Sequence, residues 1–324
     1  MNRVHKVIWS KARGALVAVS EIDTGGGKGQ PGSSSSPVDA RGTIRRHEFR
    51  ITQCVAAILP LLLGTIVMPE QALAQYQAGP GSSATGTAAT AVGTNTVAAG
   101  TGTSAFGQAA TASNSSSTAI GGNTTASGVG ATAIGHQALA TGTNASSLGA
   151  SAAATGENSS ALGDFATASG SGSTALGAGA RASADNALAS GLNAAASGTS
   201  SISLGNASVA SNNSATTLGA GGTASGDHST ALGTLATAAG SYSIATGFES
   251  ITTNTADAGI ALGSGASVSG ASAVAIGVNS GASGVNAVAL GPGGTAGVPG
   301  SGTQATGAQA VSIGYNALAS NTYA

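Results

Sequence analysis

From about residue 90 onward, apolar and polar positions follow a ruler of fourteen. Glycine stands at 93, 107, 121, 135, 149, 163, 177, 191, 205, 219, 233 and 247 without a miss, and again at 263, 277, 291, 300 and 314. Each of these is position 0 of a unit. Seven residues on, over fifteen units, glycine occurs eleven times, with Asn114, Asn212 and Asn254 as the main substitutes and Ala184 as the other. Glycine and asparagine are the residues that best accept positive φ, so the spacing predicts two sharp corners per unit. Between corners the residues alternate. Positions −3 and −1 carry pairs such as Thr132/Ile134, Thr174/Leu176, Val274/Ile276 and Val288/Leu290. Position −2 is alanine in ten of thirteen repeats from Ala119 to Ala289, and positions +3 and +5 are mostly alanine, as in Ala138/Ala140 and Ala166/Ala168. A period of two is the signature of a strand. Each unit therefore predicts strand, corner, strand, corner.

Rival periods fail on physical grounds. Fourteen is also two heptads, but a glycine every seven residues would destabilise a helix by roughly 1 kcal/mol each time, and the charged flanking positions of a coiled coil are missing. Glycine has no period of three, which excludes collagen. A disordered low-complexity chain would not hold phase over eleven successive intervals. One coil cannot fold alone, because ordering its backbone outweighs burying a single Leu or Ile. Stacking resolves this: strands pair in parallel with their copies one unit on, about 4.8 Å away, and sixteen or so coils give a rod of roughly 75 Å. On this reading the Leu/Ile column is the core. The alanine column at −2 faces outward, where its uniformity points to close contact with another roll.

Composition sharpens the picture. Only 6% of the 324 residues are charged and 3% aromatic, while glycine numbers 53. Nine of the ten Lys and Arg residues lie between Arg3 and Arg50, leaving only Arg181 beyond them. Residues 75 to 324 thus carry one basic group against Glu157, Asp164, Asp185, Asp227, Glu249 and Asp257, a formal charge of −5. Nucleic acid is excluded as a partner, since phosphate neutralisation needs several Lys or Arg on one face. The sole cysteine, Cys54, excludes a disulfide framework and a cysteine-based zinc site.

The first 74 residues have a different character. "RGTIRRHEFR" at 41 to 50 precedes the apolar run "CVAAILPLLLGTIVM" of 54 to 68 and then "PEQALAQ". This order of basic, apolar and small residues is that of a secretory signal over 41–74, with cleavage after Ala74. The run is short for a bilayer span and Pro60 interrupts it. Residues 25–40 read as a flexible Gly/Ser linker. The leading stretch, 1–24, includes "MNRVHKVIWSKARGALVAVSEI", too polar for a second signal and too short for a domain. Its basic amphipathic start, Lys6-Val7-Ile8-Trp9 and Val17-Ala18-Val19-Ser20-Glu21, resembles the extended signal peptide region of large Gram-negative autotransporters.

"SAVAIG" at 272 to 277 and "NAVALG" at 286 to 291, inside a period of fourteen, resemble the head repeats of the trimeric autotransporter adhesins, the YadA-like family. Phase-consistent variants extend over about 79 to 324, so 75–324 reads as one head domain. The resemblance implies an all-β fold, a left-handed parallel β-roll (solenoid) of about sixteen 14-residue coils, trimeric. It implies a homotrimer attached to host extracellular matrix, host cells or other bacteria, with host matrix proteins or cell-surface receptors as partners. It also implies display at the cell surface through an outer-membrane anchor. No stalk or anchor pattern occurs before Ala324, which reads as a truncated frame or a fragment. A structural or ice-binding solenoid is the alternative; it would need a flat Thr-X-Thr array on one face.

Little in the sequence promises chemistry. His136 at +1 and His228 at +9 fall in different columns and cannot share a metal. Glu157, Asp185 and Asp227 share position +8, but gaps of roughly 10 and 14 Å at about 4.8 Å per coil separate them too far for paired-carboxylate catalysis. "GPGGTAG" at 291 to 297 lacks the Lys-Ser/Thr of a phosphate loop. No catalytic, metal or cofactor-binding residue is expected, nor a small-molecule substrate. The nine-residue insertion between 291 and 300, and two extra residues after Asn254, would bulge from an even surface, where recognition tends to reside. Pro292, Thr295, Val298 and Pro299 are therefore the candidate ligand-binding residues.

Overall fold

The computed structural model describes residues 5–10, 15–20 and 75–324 except 296. The chain divides into two units, 1–66 and 67–324. In the first, β1 (His5–Ser10) and β2 (Ala15–Ser20) pair antiparallel, Lys6 opposite Val19 and Trp9 opposite Leu16. The linker and signal segments read from sequence at 25–40 and 41–74 lie outside the described residues.

The second unit is a parallel β-roll in which every coil contributes one strand to each of two sheets. Three-residue strands, from Tyr76–Ala78 to Val311–Ile313, form one sheet; two-residue strands, from Ser83–Ala84 to Leu318–Ala319, form the other. Each sheet has seventeen strands, and none of the described residues of this unit is helical. Pairing advances by one unit throughout, as in Thr132↔Ser146, Ala133↔Ser147 and Ile134↔Leu148. The two-residue insertion changes only the step, so that Ile244 pairs with Ile260. Rungs continue through the corners: Gly135 N donates to Ile120 O at 2.8 Å, and Gln137 N to Gly122 O at 2.9 Å. Most corners close with a bond three residues back, as from Ala138 N to Gly135 O and Ala145 N to Gly142 O. A coil before the first counted glycine brings the number to seventeen. Its Gln77 stands opposite Ala91 in the alanine column, and its Nε2 donates to Ala84 O at 3.0 Å, so a polar side chain covers the end of the core.

The core is the reverse of the one expected. Alanine at −2 and +5 is buried, as are the small residues at +3 and −4 that flank the corners. Leucine and isoleucine at −1 face outward, Leu148 and Leu218 each 47% exposed. The reason is thickness. Each strand sends one side chain inward, the corners send the next, and opposing sheets lie so close that a methyl group fills the gap. The exceptions demonstrate this. Val268, the largest fully buried side chain, occupies position +5, and the facing position is Gly259, where an added Cβ would lie 2.9 Å from Val268 Cγ1. Thr217 at −2 likewise faces Gly222, with 2.9 Å between its Cγ2 and an added Cβ. Volume is conserved across the core, as close packing requires.

The second corner glycine also has a different cause from the one inferred. Gly135 at position 0 has φ +131°, but Gly142 at +7 does not have positive φ. A Cβ on Gly142 would come within 1.9 Å of Gly156 O, so it is the approach of the next coil that favours glycine. Asparagine recurs there because its amide supplies a rung: Asn114 Nδ2 donates to Ser127 O, and Asn212 Nδ2 to Ser225 O. Asn254 does not occupy the glycine position of its corner. The insertion displaces it, and Ala256 takes the place beneath Gly240.

Buried hydroxyls are mostly absorbed by the turns. Ser159, Ser173 and Ser229 each donate to the glycine carbonyl three residues back at 2.7 Å, the local bonding for which serine is suited. Ser147 Oγ, in the alanine column, has no partner.

Two stability measurements follow. Gly259→Ala and Val268→Ala should each destabilise by on the order of 1–3 kcal/mol through overpacking and cavity formation. The double variant should lose less than the sum by at least about 1 kcal/mol; additivity in urea unfolding would refute the packing argument. Ser147→Ala should raise stability by about 1 kcal/mol, because it removes an unpaired buried hydroxyl; a lowered unfolding midpoint would count against it.

Candidate functional surface

Because alanine fills the interior, the roll's larger side chains form its surface, and the two sheets present different chemistry. On the three-residue sheet, positions −3 and −1 face outward. Leu148, Leu162, Leu176, Leu218 and Leu232 form a column 40–47% exposed in the single chain. At Ser190 and Thr246 the column turns polar, and Leu188 and Ile244 at −3 carry the apolar character instead. The stripe thus runs from one end of the sheet to the other. On the two-residue sheet, +4 and +6 face outward and are rich in hydroxyls: Thr125/Ser127, Thr167/Ser169 and Thr223/Ser225. Seven of the seventeen +4 residues are Ser or Thr, with Val97, Leu139, Arg181, Val209, Ile251 and Gln304 among the others, and +6 is mainly serine. A flat Thr-X-Thr array is not formed.

The corners hold the strained residues. Among the described residues, 26 other than glycine have positive φ, nine of them asparagine, the type that tolerates it best. Phe165, Leu235 and Tyr242 do so without that tolerance. His228 and Tyr242, one coil apart, stack with ring centres 4.9 Å apart and planes 10° from parallel. His228 Nδ1 lies 3.4 Å from Asp227 Oδ2. The sequence places His228 and Tyr242 in one column fourteen residues apart, a spacing that signals ring stacking where metal-ligand reasoning sees only an isolated histidine.

The carboxylate column at +8 is real, and the insertion adds Asp257 to Glu157, Asp185 and Asp227. Two of these acids act locally. Asp185 Oδ1 accepts from Ser171 N and Asp257 Oδ1 from Ser241 N, both at 2.9 Å, each tying its corner to the preceding coil. Such acids brace corners as well as charging the surface. Among the described residues no three His, Cys, Asp or Glu side chains gather where a metal ion could be held.

The two insertions fold differently. At the first, Thr255 Oγ1 donates to Ser269 O at 2.8 Å, which holds the bulge against the next coil. The second, between Leu290 and Gln304, is a pinned loop. Asn279, 6% exposed, reaches Gly293 O and Thr295 O through Nδ2 at 3.3 and 3.2 Å. Asn316 Oδ1 accepts from Gly294 N at 2.7 Å, Ser301 Oγ from Thr295 N at 2.8 Å, and Pro292 O from Thr303 Oγ1 at 3.2 Å. Of the four residues expected there, Thr295 and Pro299 border surface depressions. Pro292 anchors the loop, and Val298 is exposed at its crown. Gln304 and Asn316 complete the depressions; they sit 9 and 21 residues from Thr295 in sequence, beyond the reach of a local motif.

A stacked roll with a methyl core, an apolar stripe on one sheet and hydroxyls on the other defines a repetitive β-solenoid built to present surface. The YadA head domain repeat model matches residues 78–96, 98–124, 126–152, 140–166, 154–180, 168–194, 224–250, 255–280, 269–293 and 300–324. A model for the Extended Signal Peptide of Type V secretion system matches residues 1–45. With head repeats over more than half of its length, the chain belongs to the YadA-like trimeric autotransporter adhesins. It is an exported, surface-displayed protein with an adhesin head domain. The unmatched residues 195–223 keep the same coil, whereas 251–254 and 294–299 fall at the insertions. Among solved structures, the collagen-binding domain of the Yersinia adhesin YadA is similar at 16% identity and a TM-score of 0.20, covering 62% of this chain and 79% of that one. No curated protein matches the chain.

Corner strain yields a differential prediction. Leu235→Asn should stabilise the roll by about 1 kcal/mol, since left-handed backbone disfavours leucine by that order. Tyr242→Asn relieves the same strain but forfeits a ring stack worth about 0.5–1.5 kcal/mol, so its net effect should be smaller. Thermal unfolding of both variants checks the order; a larger gain from Tyr242→Asn would contradict it.

Proposed function

We propose that the roll is the head of a homotrimer, packed through its three-residue sheet, that attaches the bacterium to host extracellular matrix, host cells or other bacteria. The observation that carries this is the stripe of outward apolar side chains, mainly leucine and isoleucine, on a chain whose own core is already full. An exposed apolar stripe of such length calls for a partner. Copies of the same chain, whose stripes have the same pitch, fit it rung for rung, and the family supplies the number three. Packing of that kind leaves the hydroxyl-rich sheet and both insertions facing outward, free to meet a target. Extended coil-by-coil display suits adhesion, where many weak contacts along a rod sum to firm attachment.

Sedimentation of the full chain tests the assembly. Leu162→Lys, Leu176→Lys and Leu218→Lys together should convert trimer to monomer, while the same change at Thr125, Thr167 and Thr223 on the opposite sheet should leave it intact. The reverse pattern would refute the choice of face. Attachment is tested with bacteria displaying the chain on surfaces coated with collagen, fibronectin or laminin, on host cells, and in suspension. Enhanced binding to at least one target over the non-displaying strain is expected; binding to none would sink the adhesive reading.

A further inference from the structure

The pinned loop makes the roll's even outer surface concave on either side of it. Its chain turns back toward earlier coils, with Gly300 N bonded to Gly265 O at 3.0 Å and Gly302 N to Asn279 O at 2.7 Å. A ridge therefore crosses the edge of the two-residue sheet. On one side lies an open depression of about 400 Å³ bordered by Thr295, Ser301, Gln304, Asn316 and Leu318. On the other lies a smaller one of about 140 Å³ bordered by Ser267, Ser269, Ser283, Pro299 and Thr306. Gln304 lines both.

We propose that these linked depressions bind an uncharged oligosaccharide, with Gln304 placed between two sugar rings.

Four features carry this. The lining is rich in hydroxyls and amides, and none of its residues is ionisable. Several of its polar groups are free: among the described residues, the Gln304 amide and the Thr295 hydroxyl engage no partner, and Asn316 uses Oδ1 but not Nδ2. A ligand bearing both donors and acceptors at short intervals, as a sugar does, satisfies such groups. Leu318 and Pro299 add apolar surface, suited to the C–H face of a pyranose. Anionic sugars and phosphates have no counter-charge, because Arg181, the only Lys or Arg in 75–324, lies about eight rungs away, roughly 38 Å at ~4.8 Å per rung. Finally, the ridge is preorganised. Asn279, Asn316, Ser301 and Thr303 hold it in the unbound protein, which reduces the ordering cost of binding.

The site is independent of the matrix-adhesion reading and is tested without adhesion. Saturation-transfer NMR on the full chain, with N-acetyllactosamine, mannotriose and cellotriose as probes and sialylated N-acetyllactosamine as the charged control, provides the readout. Transfer to at least one uncharged probe is expected, with weaker transfer to the sialylated one. Gln304→Ala should weaken binding at least tenfold, Thr295→Val severalfold, and deletion of 292–299 should abolish it; Arg181→Ala should change nothing. Unfolding curves superimposable on the parent's identify Gln304→Ala and Thr295→Val as local changes. The proposal is overturned if no uncharged probe binds, if the sialylated sugar binds more tightly, or if Gln304→Ala binds as the parent does. Loss of matrix attachment with sugar binding retained would fault the adhesive reading alone.

Discussion

The spacing between the two sheets governs everything else in the roll. Each coil is so short that only three residues lie flat on one side and two on the other, and the corners bring opposing backbones within a methyl group of each other. Alanine is the side chain that fills such a gap without prying it open, and serine or threonine enters where a turn carbonyl can take its hydroxyl. The pairing of Val268 with Gly259 and of Thr217 with Gly222 shows the limit from the other direction, since one larger residue requires the complete removal of its neighbour's side chain. Corner glycines express the same crowding along the axis: a Cβ on Gly156 would lie 2.0 Å from Gly170 O.

A core of methyl groups holds little hydrophobic free energy per residue, and two consequences follow. The first is that the continuous parallel ladder, carried through the corners, has to order the chain. That is why the repeats keep one register for seventeen strands and why the interruptions at 254–255 and 292–300 lie in corners and not in strands. The second is that leucine and isoleucine, excluded from the interior, accumulate outside on one sheet. The interior thus leaves each chain with an apolar stripe exposed on one sheet, which the proposed assembly of identical rolls would cover. Hydroxyls, acid-braced corners and two loops would then remain outside for the proposed target.

Much of this is legible in the amino-acid order. Period-two alternation and the fourteen-residue glycine spacing specify parallel coils, and the N-terminal Lys6-Val7-Ile8-Trp9 stretch points to export. Side-chain direction is misread because hydrophobicity alone assigns Ile134 to the inside and Ala133 to the outside, whereas alternation says only that they differ. Thickness decides, and thickness is a property of two strands and two corners together. The role of Gly142 is hidden for a similar reason: glycine serves both for positive φ and for close approach, and composition does not separate the two. The depressions beside the loop leave no mark in the sequence because Thr295, Gln304 and Asn316 come together only once coils are stacked.

The most direct test compares neighbouring residues on opposite sides of one strand. Circular dichroism and urea unfolding of the full chain should show that Ala175→Leu abolishes the cooperative β transition, because the added volume cannot fit between the sheets. Leu176→Ala should retain the β spectrum and lower only the assembly state. If Ala175→Leu folds as the parent does while Leu176→Ala unfolds, the leucine column is the core after all, and the account of a methyl-thick roll fails.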